Sequence, residues 1–373
     1  MVEARARVVP SLLFLACLCG AGALFRPTEG RAADAAPAAD MSHVCDAALG
    51  GDMVEALSIL DSIDRTKMSP SDSAVADCIR RTFGAPPKPE QLPPRSRDIL
   101  NAYRNYWQAV MLRRMGAQDA EAHLLRDLDA IRSGGAVDTT HAPDLSVASE
   151  WAKKAIESEG LYALTGVTSP YWELMIWKTQ APETYHVKLP ERTIDVRVVF
   201  MDDFVSFGWA GYATCGRSHT GGWATSDALY ALKSSYDIDS EDFRVSYLAH
   251  EGRHFSDYKQ FPRLEQPELE YRAKLTEIAL SSETTLKLIT SFAQRSGHDR
   301  AVPHSFANYC LARDLSRAAL GSEEGAEDPS KWNSVPADRI RREALKLLKE
   351  NDEKLRRLGA KDVERFLEAR GKG

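Results

Sequence analysis

The sequence predicts an α+β fold: a helical N-terminal region, then a small antiparallel sheet, then a further set of helices. Three observations carry this. From about residue 42 to residue 178 the apolar residues recur with a helical period. Around Thr184 the period drops to two, and beyond residue 240 it becomes helical again. A group of strands bracketed by helices is an α+β layout.

The chain of 373 residues opens on a segment that resembles a targeting signal rather than structure. Arg5 and Arg7 precede an apolar stretch from Val8 to Ala23, which Arg26-Pro27 then closes. It is short for a membrane span, and Ala21-Gly22-Ala23 offers a cleavage site, so residues 1–23 read as a signal peptide and the mature chain as exported, without a transmembrane span. Cys17 and Cys19 open the option of a lipid anchor, but Phe14-Leu15-Ala16 before Cys17 fits a lipoprotein signal poorly. Residues 24–40, rich in Ala, Asp and Pro, read as a disordered linker.

The region 41–178 reads as helical. Helical runs are expected near 45–60, 73–83, 99–115 and 119–132, with Pro86-Pro87-Lys88-Pro89 and Pro93-Pro94 marking a linker. Tyr103, Tyr106 and Trp107 stand at helical spacing and are expected in a core. The second region, 179–373, begins with strands at 185–189 and 193–200 about a turn at Pro190-Glu191. Glycines between 208 and 222 punctuate a loop, and 228–232 continues as a strand or short helix. Helices are expected at about 243–259, 267–295, 303–320 and 336–370.

Four cysteines remain after the signal: Cys45, Cys78, Cys215 and Cys310. An even number in an exported chain reads as two disulfides, and the sequence-local pairing is Cys45–Cys78 with Cys215–Cys310. The formal net charge of −6 is spread over mixed charges, with no basic stripe, which argues against a nucleic-acid partner.

The residues that carry chemistry are His250-Glu251-Gly252-Arg253-His254. Ser240-Glu241-Asp242 supplies a cap and two acids at a helix start, and Phe261-Pro262 a stop. Histidines four apart on that helix lie about 40° apart around its axis, so both imidazoles reach one zinc ion. Glu251, beside the first histidine, can take a proton from a water that the metal polarises. Asp257 lies on the same face, seven residues after His250, and is expected to make a hydrogen bond near the site. A catalytic zinc takes three protein ligands and keeps one position open.

Here the chain resembles the gluzincins, zinc metallopeptidases that pair H-E-x-x-H with a glutamate on a later helix. The match is Pro267-Glu268-Leu269-Glu270-Tyr271-Arg272-Ala273, where Glu270 and Ala273 resemble the family's E-x-x-A pattern. Glu268 and Glu277 are the competing carboxylates; Glu270 is preferred as third ligand, and Glu277, on its face, as a partner for a ligand imidazole. The thermolysin-like subgroup carries Asp where this chain has Lys274, so no subgroup is assigned. Metzincins are a poorer match, since Asp257 and Gln260 stand where they require Gly and His.

The resemblance implies a zincin-like metallopeptidase domain over 179–373. It implies Zn2+ held by His250, His254 and Glu270, with Glu251 as general base and a peptide or protein substrate. It also implies a His or Tyr that stabilises the oxyanion, for which His304 and Tyr309 are the candidates. The family binds extended peptide on an edge strand, which Gly221-Gly222-Trp223-Ala224-Thr225 would supply. The alternative from another class is a non-enzymatic, helix-rich envelope or interaction protein whose metal site is structural or degenerate.

Overall fold

The computed structural model describes residues 40–85, 91–134, 144–225 and 227–368, and the backbone of Leu13–Phe14. The expected signal peptide and all of the expected linker before Asp40 otherwise lie outside these residues. The fold is α+β, 61% helical, with a curled mixed sheet of five strands. Among the described residues, no helix is long and apolar enough to cross a membrane. The described residues divide into two compact units: one holds those from Phe14 to Ala181 together with 201–222, the other holds Leu13, 182–200 and those from Trp223 onward.

In the first unit, six helices precede the sheet: α1 (Met41–Leu49), α2 (Met53–Ser62), α3 (Pro70–Gly84), α4 (Pro94–Met111), α5 (Ala117–Ser133) and α6 (Leu145–Ser158). Side-chain oxygens start several of them: Asp52 accepts from Glu55 N, Ser69 from Asp72 N and Asp144 from Val147 N. Tyr103, Tyr106 and Trp107 on α4 are buried, as their spacing predicts. They pack in one core with Leu60, Ile79 and Leu124. A short helix, α7 (Gly208–Ala213), also belongs to this unit.

The helical period expected as far as 178 ends at Ser158. Tyr162–Thr168 (β1) and Tyr171–Lys188 (β2) form an antiparallel pair, with Tyr162 opposite Trp177. Leu174, Met175, Ile176 and Trp177 are all buried in a row. A strand covered on both faces shows no alternation, so its sequence cannot be told from a buried helix by period alone.

The expected disulfides are also corrected. Cys78 is bonded to Cys215, while Cys45 and Cys310 are free and buried. Sequence proximity misleads here because residues 201–222 return to the N-terminal unit, where Arg217 pairs with Asp72 on the same helix as Cys78.

The remaining strands are β3 (Thr193–Phe207), β4 (Gly222–Ala224) and β5 (Leu229–Leu232). The sheet order is β4-β5-β3-β2-β1, with the Leu13–Phe14 backbone outside β4. Leu189 N donates to Arg192 O at 2.8 Å across the expected turn between β2 and β3.

In the second unit, a π-helical segment, Asp242–Ala249, runs directly into α8 (His250–Gln260). Then come α9 (Gln266–Leu280), α10 (Thr285–Gln294), α11 (Pro303–Leu320), the short α12 (Glu324–Glu327) and α13 (Ala337–Gly359). The single helix expected at 267–295 is therefore two. The last helix stops at Gly359, whose φ of 95° takes the chain out of helix. Ile340, Ala344, Leu348 and Leu355 make the buried stripe of α13.

Candidate metal centre

The helix that carries His250 and His254 starts where its sequence directs. Ser240 Oγ accepts from Phe243 N at 3.0 Å, and the helix ends at Phe261 before Pro262. Gly252 lets the helix lie close to the β2–β3 hairpin. A Cβ there would sit 3.1 Å from Ile194 Cδ1 and 3.5 Å from Val187 Cγ1. On the other side Arg253, fully buried, grips both oxygens of Glu191 in the hairpin turn at 2.6 and 2.7 Å. The helix is thus held by its two non-ligand residues while its histidines face α9.

Helix α9 is buried on every side from Pro267 to Ile278, yet it carries five ionisable residues. Burying a charge is costly unless it is paired, so each must be accounted for. Glu268 receives Arg300 Nη2 on both oxygens, at 2.7 and 2.6 Å. Arg272 donates to both oxygens of Asp257 at 2.7 and 3.0 Å, to Asp352 at 2.6 Å and to Asn351 at 2.5 Å. Glu277 accepts from His250 Nδ1 at 2.6 Å. Lys274 Nζ lies 3.6 Å from Glu270 Oε2. Only Glu270 remains, 1% exposed, with both carboxylate oxygens lacking a hydrogen bond.

Those oxygens sit among imidazole nitrogens. His254 Nε2 is 3.3 Å from Oε1 and His250 Nε2 is 3.6 Å from Oε2. The two Nε2 atoms are 3.1 Å apart. A tetrahedral ion with ligand bonds of 2.0–2.1 Å has ligand–ligand edges of about 3.3–3.4 Å. The observed separations of 3.1, 3.3 and 3.6 Å lie near that value, the two carboxylate ones on different oxygens. With one donor atom from each residue the three lie within 4.8 Å of one another, and the donors are two imidazoles and a carboxylate. His250, His254 and Glu270 are the group among the described residues whose donor atoms could hold one ion. The residues therefore fit zinc. Glu277 completes the arrangement: by accepting a hydrogen bond from His250 Nδ1–H it favours the tautomer that leaves the Nε2 lone pair for a metal.

The electrostatics agree with a site built to hold a cation. Burial pushes the Glu270 carboxyl up, but His254, His304 and His250 outweigh it and hold the group ionised well below the usual range. For His250, burial disfavours the charge, and Glu277 with Glu270 overcomes it to raise the imidazole to about 9. Glu251 is 2% exposed. Burial raises its carboxyl, against the pull of His254 and His250.

Of the candidates further along the chain, His304 is brought to the site and Tyr309 is not. His304 Nδ1 lies 2.9 Å from Glu270 Oε2 on a side chain 46% exposed. It is not among the three residues whose donor atoms lie together. Tyr309 is buried against His298, with ring centroids 4.2 Å apart and Arg313 over its face, and its hydroxyl has no hydrogen bond. Among the described residues no contact ties it to the triad. Asp257, expected to make a hydrogen bond near the site, makes it to Arg272.

Several neighbours went unread in the sequence. Tyr258 stacks near His254, centroids 6.2 Å apart, and burial raises its phenol, with Glu251 and Glu270 adding to the rise. Its place one turn after His254 was the available signal. The Arg253–Glu191 and Arg272–Asp257 pairs had only the signal of arginines in helices without a polar face. Comparison with family models, with curated proteins and with solved structures found no match.

Proposed function

We propose that the protein is an exported zinc metallopeptidase. The observation that carries this reading is the buried Glu270 carboxylate, its oxygens facing the Nε2 atoms of His254 and His250 at 3.3 and 3.6 Å, with Glu251 next to His250 on the same helix. The spacing H-E-x-x-H with a later glutamate, and Ala273 one turn after it, supports a gluzincin-like site on a zincin-like domain.

His250, His254 and Glu270 would hold the zinc, which supplies a Lewis-acidic position that polarises the scissile carbonyl and lowers the pKa of water. Glu251 takes the proton of the attacking water and returns it to the leaving amine. His304, whose Nδ1 lies 2.9 Å from Glu270 Oε2 on a half-exposed ring, would donate to the developing oxyanion through Nε2 when both of its ring nitrogens carry a proton. Strand β4, the outermost of the five, would offer backbone groups to an extended peptide on the side taken by the Leu13–Phe14 backbone, once the expected signal segment is removed. The apolar segment 8–23 and the Cys78–Cys215 bridge support export to an oxidising compartment.

The test is metal analysis and peptide-library cleavage by wild type and Glu251→Gln. About one zinc per chain is expected in both, with hydrolysis reduced by about 10²–10⁴-fold in the variant. His304→Ala should lose less. Equal cleavage by both proteins, or wild type that takes up no zinc, would overturn the proposal.

A further inference from the structure

Lys274 is the one charge on α9 whose pairing competes with the metal. Its ammonium is 3.6 Å from Glu270 Oε2 and 4.8 Å from the centre of the Phe292 ring, on a side chain 9% exposed. Glu270 is its ion-pair partner among the described residues. The pair is built into one helix at i and i+4, so the helix itself holds the ammonium near the carboxylate. That oxygen is also the one contacted by His250 Nε2 and His304 Nδ1, while Oε1 faces His254 alone.

We infer that Lys274 is a built-in counter-ion for Glu270, which stabilises the protein when no metal is bound and holds down its affinity for divalent cations. The inference rests on the metal-centre reading above. Without a cation, this deeply buried carboxylate is paired with the imidazoles around it and with Lys274, and removing part of a buried charge's pairing is destabilising. Lys274 is the ammonium of that set, held on the same helix. A divalent ion taken up by the same carboxylate then meets a fixed ammonium a few ångströms away, and must bind against it. A residue that merely oriented Glu270 would act in the opposite sense, because removing the partner of a ligating carboxylate weakens metal binding about 10–100-fold. The sign of the effect therefore distinguishes the two roles.

The experiment measures zinc affinity by competition with a chromophoric chelator for wild type, Lys274→Met and Lys274→Arg, and thermal unfolding of each after metal removal. Lys274→Met should bind zinc at least about tenfold more tightly, as removal of a nearby unit charge requires, and Lys274→Arg should stay near wild type. Stripped of metal, Lys274→Met should melt below wild type, and that deficit should vanish when Glu270→Gln is also present. If Lys274→Met folds only with zinc, the double variant must still fold without it. Unchanged or weaker zinc binding by Lys274→Met, or a deficit that persists beside Glu270→Gln, would overturn the inference while leaving the metal centre intact. Wild type that binds no zinc would overturn both.

Discussion

Replacing Glu241 with Gln should remove a pH-dependent strap at the head of the metal-binding helix. The Glu241 carboxylate, 7% exposed, precedes the π-helical segment and reaches the chain between α9 and α10. One oxygen accepts from Ser282 N at 2.7 Å and from the Ser282 hydroxyl; the other accepts from Glu283 N at 2.9 Å and from Thr284 N and Oγ1, both at 2.7 Å. These contacts explain why the expected helix at 267–295 is broken at 281–284: the backbone N–H groups there are taken by Glu241 instead. Burial opposes ionisation of Glu241, but the hydroxyls and N–H groups of Ser282 and Thr284 prevail and lower its pKa from 4.5 to about 2.

That gap corresponds to about 3 kcal/mol of folding stability. Because the folded pKa is the lower one, the contribution is complete above pH 4.5 and is lost as pH falls from 4.5 through about 2. Gln keeps the shape, but whichever oxygen becomes an amide turns its N–H groups toward other donors. Urea unfolding followed by tryptophan fluorescence, from pH 7 to about 2.5 with a chelator present, should find the variant less stable by about 3 kcal/mol at pH 7. The difference should shrink steadily below pH 4.5. A constant difference across the series, or none at pH 7, would refute the reasoning, since either would mean that the ionised carboxylate is not what ties these segments.

Two further outcomes follow from single carboxylates. Glu277→Gln should weaken zinc binding by about 10–100-fold, measured by chelator competition, because it removes the anion that fixes the proton on His250 Nδ1. Glu173, buried beneath Gly208 and accepting from Trp209 N at 2.9 Å, has a carboxyl that burial raises from 4.5 to about 7. Here the folded chain keeps a proton that the unfolded chain has already released, so stability should fall by about 3 kcal/mol as pH rises from 4.5 to 7 and then level off. Unfolding curves of Glu173→Gln should lack that decline.

What could be read from the sequence was local. The Ser240 cap, the Phe261-Pro262 stop, the Pro190-Glu191 turn and the two-residue period of 193–200 each act within a few residues, and each recurs in the fold. The spacing of His250 and His254, with Glu270 one helix later, is local in the same sense, and the structure brings the three together. What escaped depends on pieces far apart in the chain. Nothing near Cys78 indicates Cys215, 137 residues away, because the pairing follows from residues 201–222 rejoining the N-terminal unit. The start of β2 escaped because burial on both faces from Glu173 to Trp177 erased its alternation.

Helix α9 is the sharpest case, and its lesson is chemical. Pro267-Glu268-Leu269-Glu270-Tyr271-Arg272-Ala273-Lys274 has acids and bases at nearly every second position, so by pattern it has no face to bury. The structure buries it entirely, which is possible only because His250 and Asp257 from α8, Asn351 and Asp352 from α13, and Arg300 from the chain before α11 arrive to meet Glu268, Arg272 and Glu277. A helix assembled this way is rigid in register, since a shift of one residue would strand several buried charges at once. That rigidity fixes where Glu270 stands relative to His254. The pairs that seal the rest of the helix leave Glu270 with an ammonium at 3.6 Å and imidazoles at 2.9–3.6 Å, and with no hydrogen bond of its own. Glu268, Arg272 and Glu277 are met by hydrogen bonds from outside the helix, and Glu270 is the carboxylate of α9 without one, which is what supports the proposed cation site there.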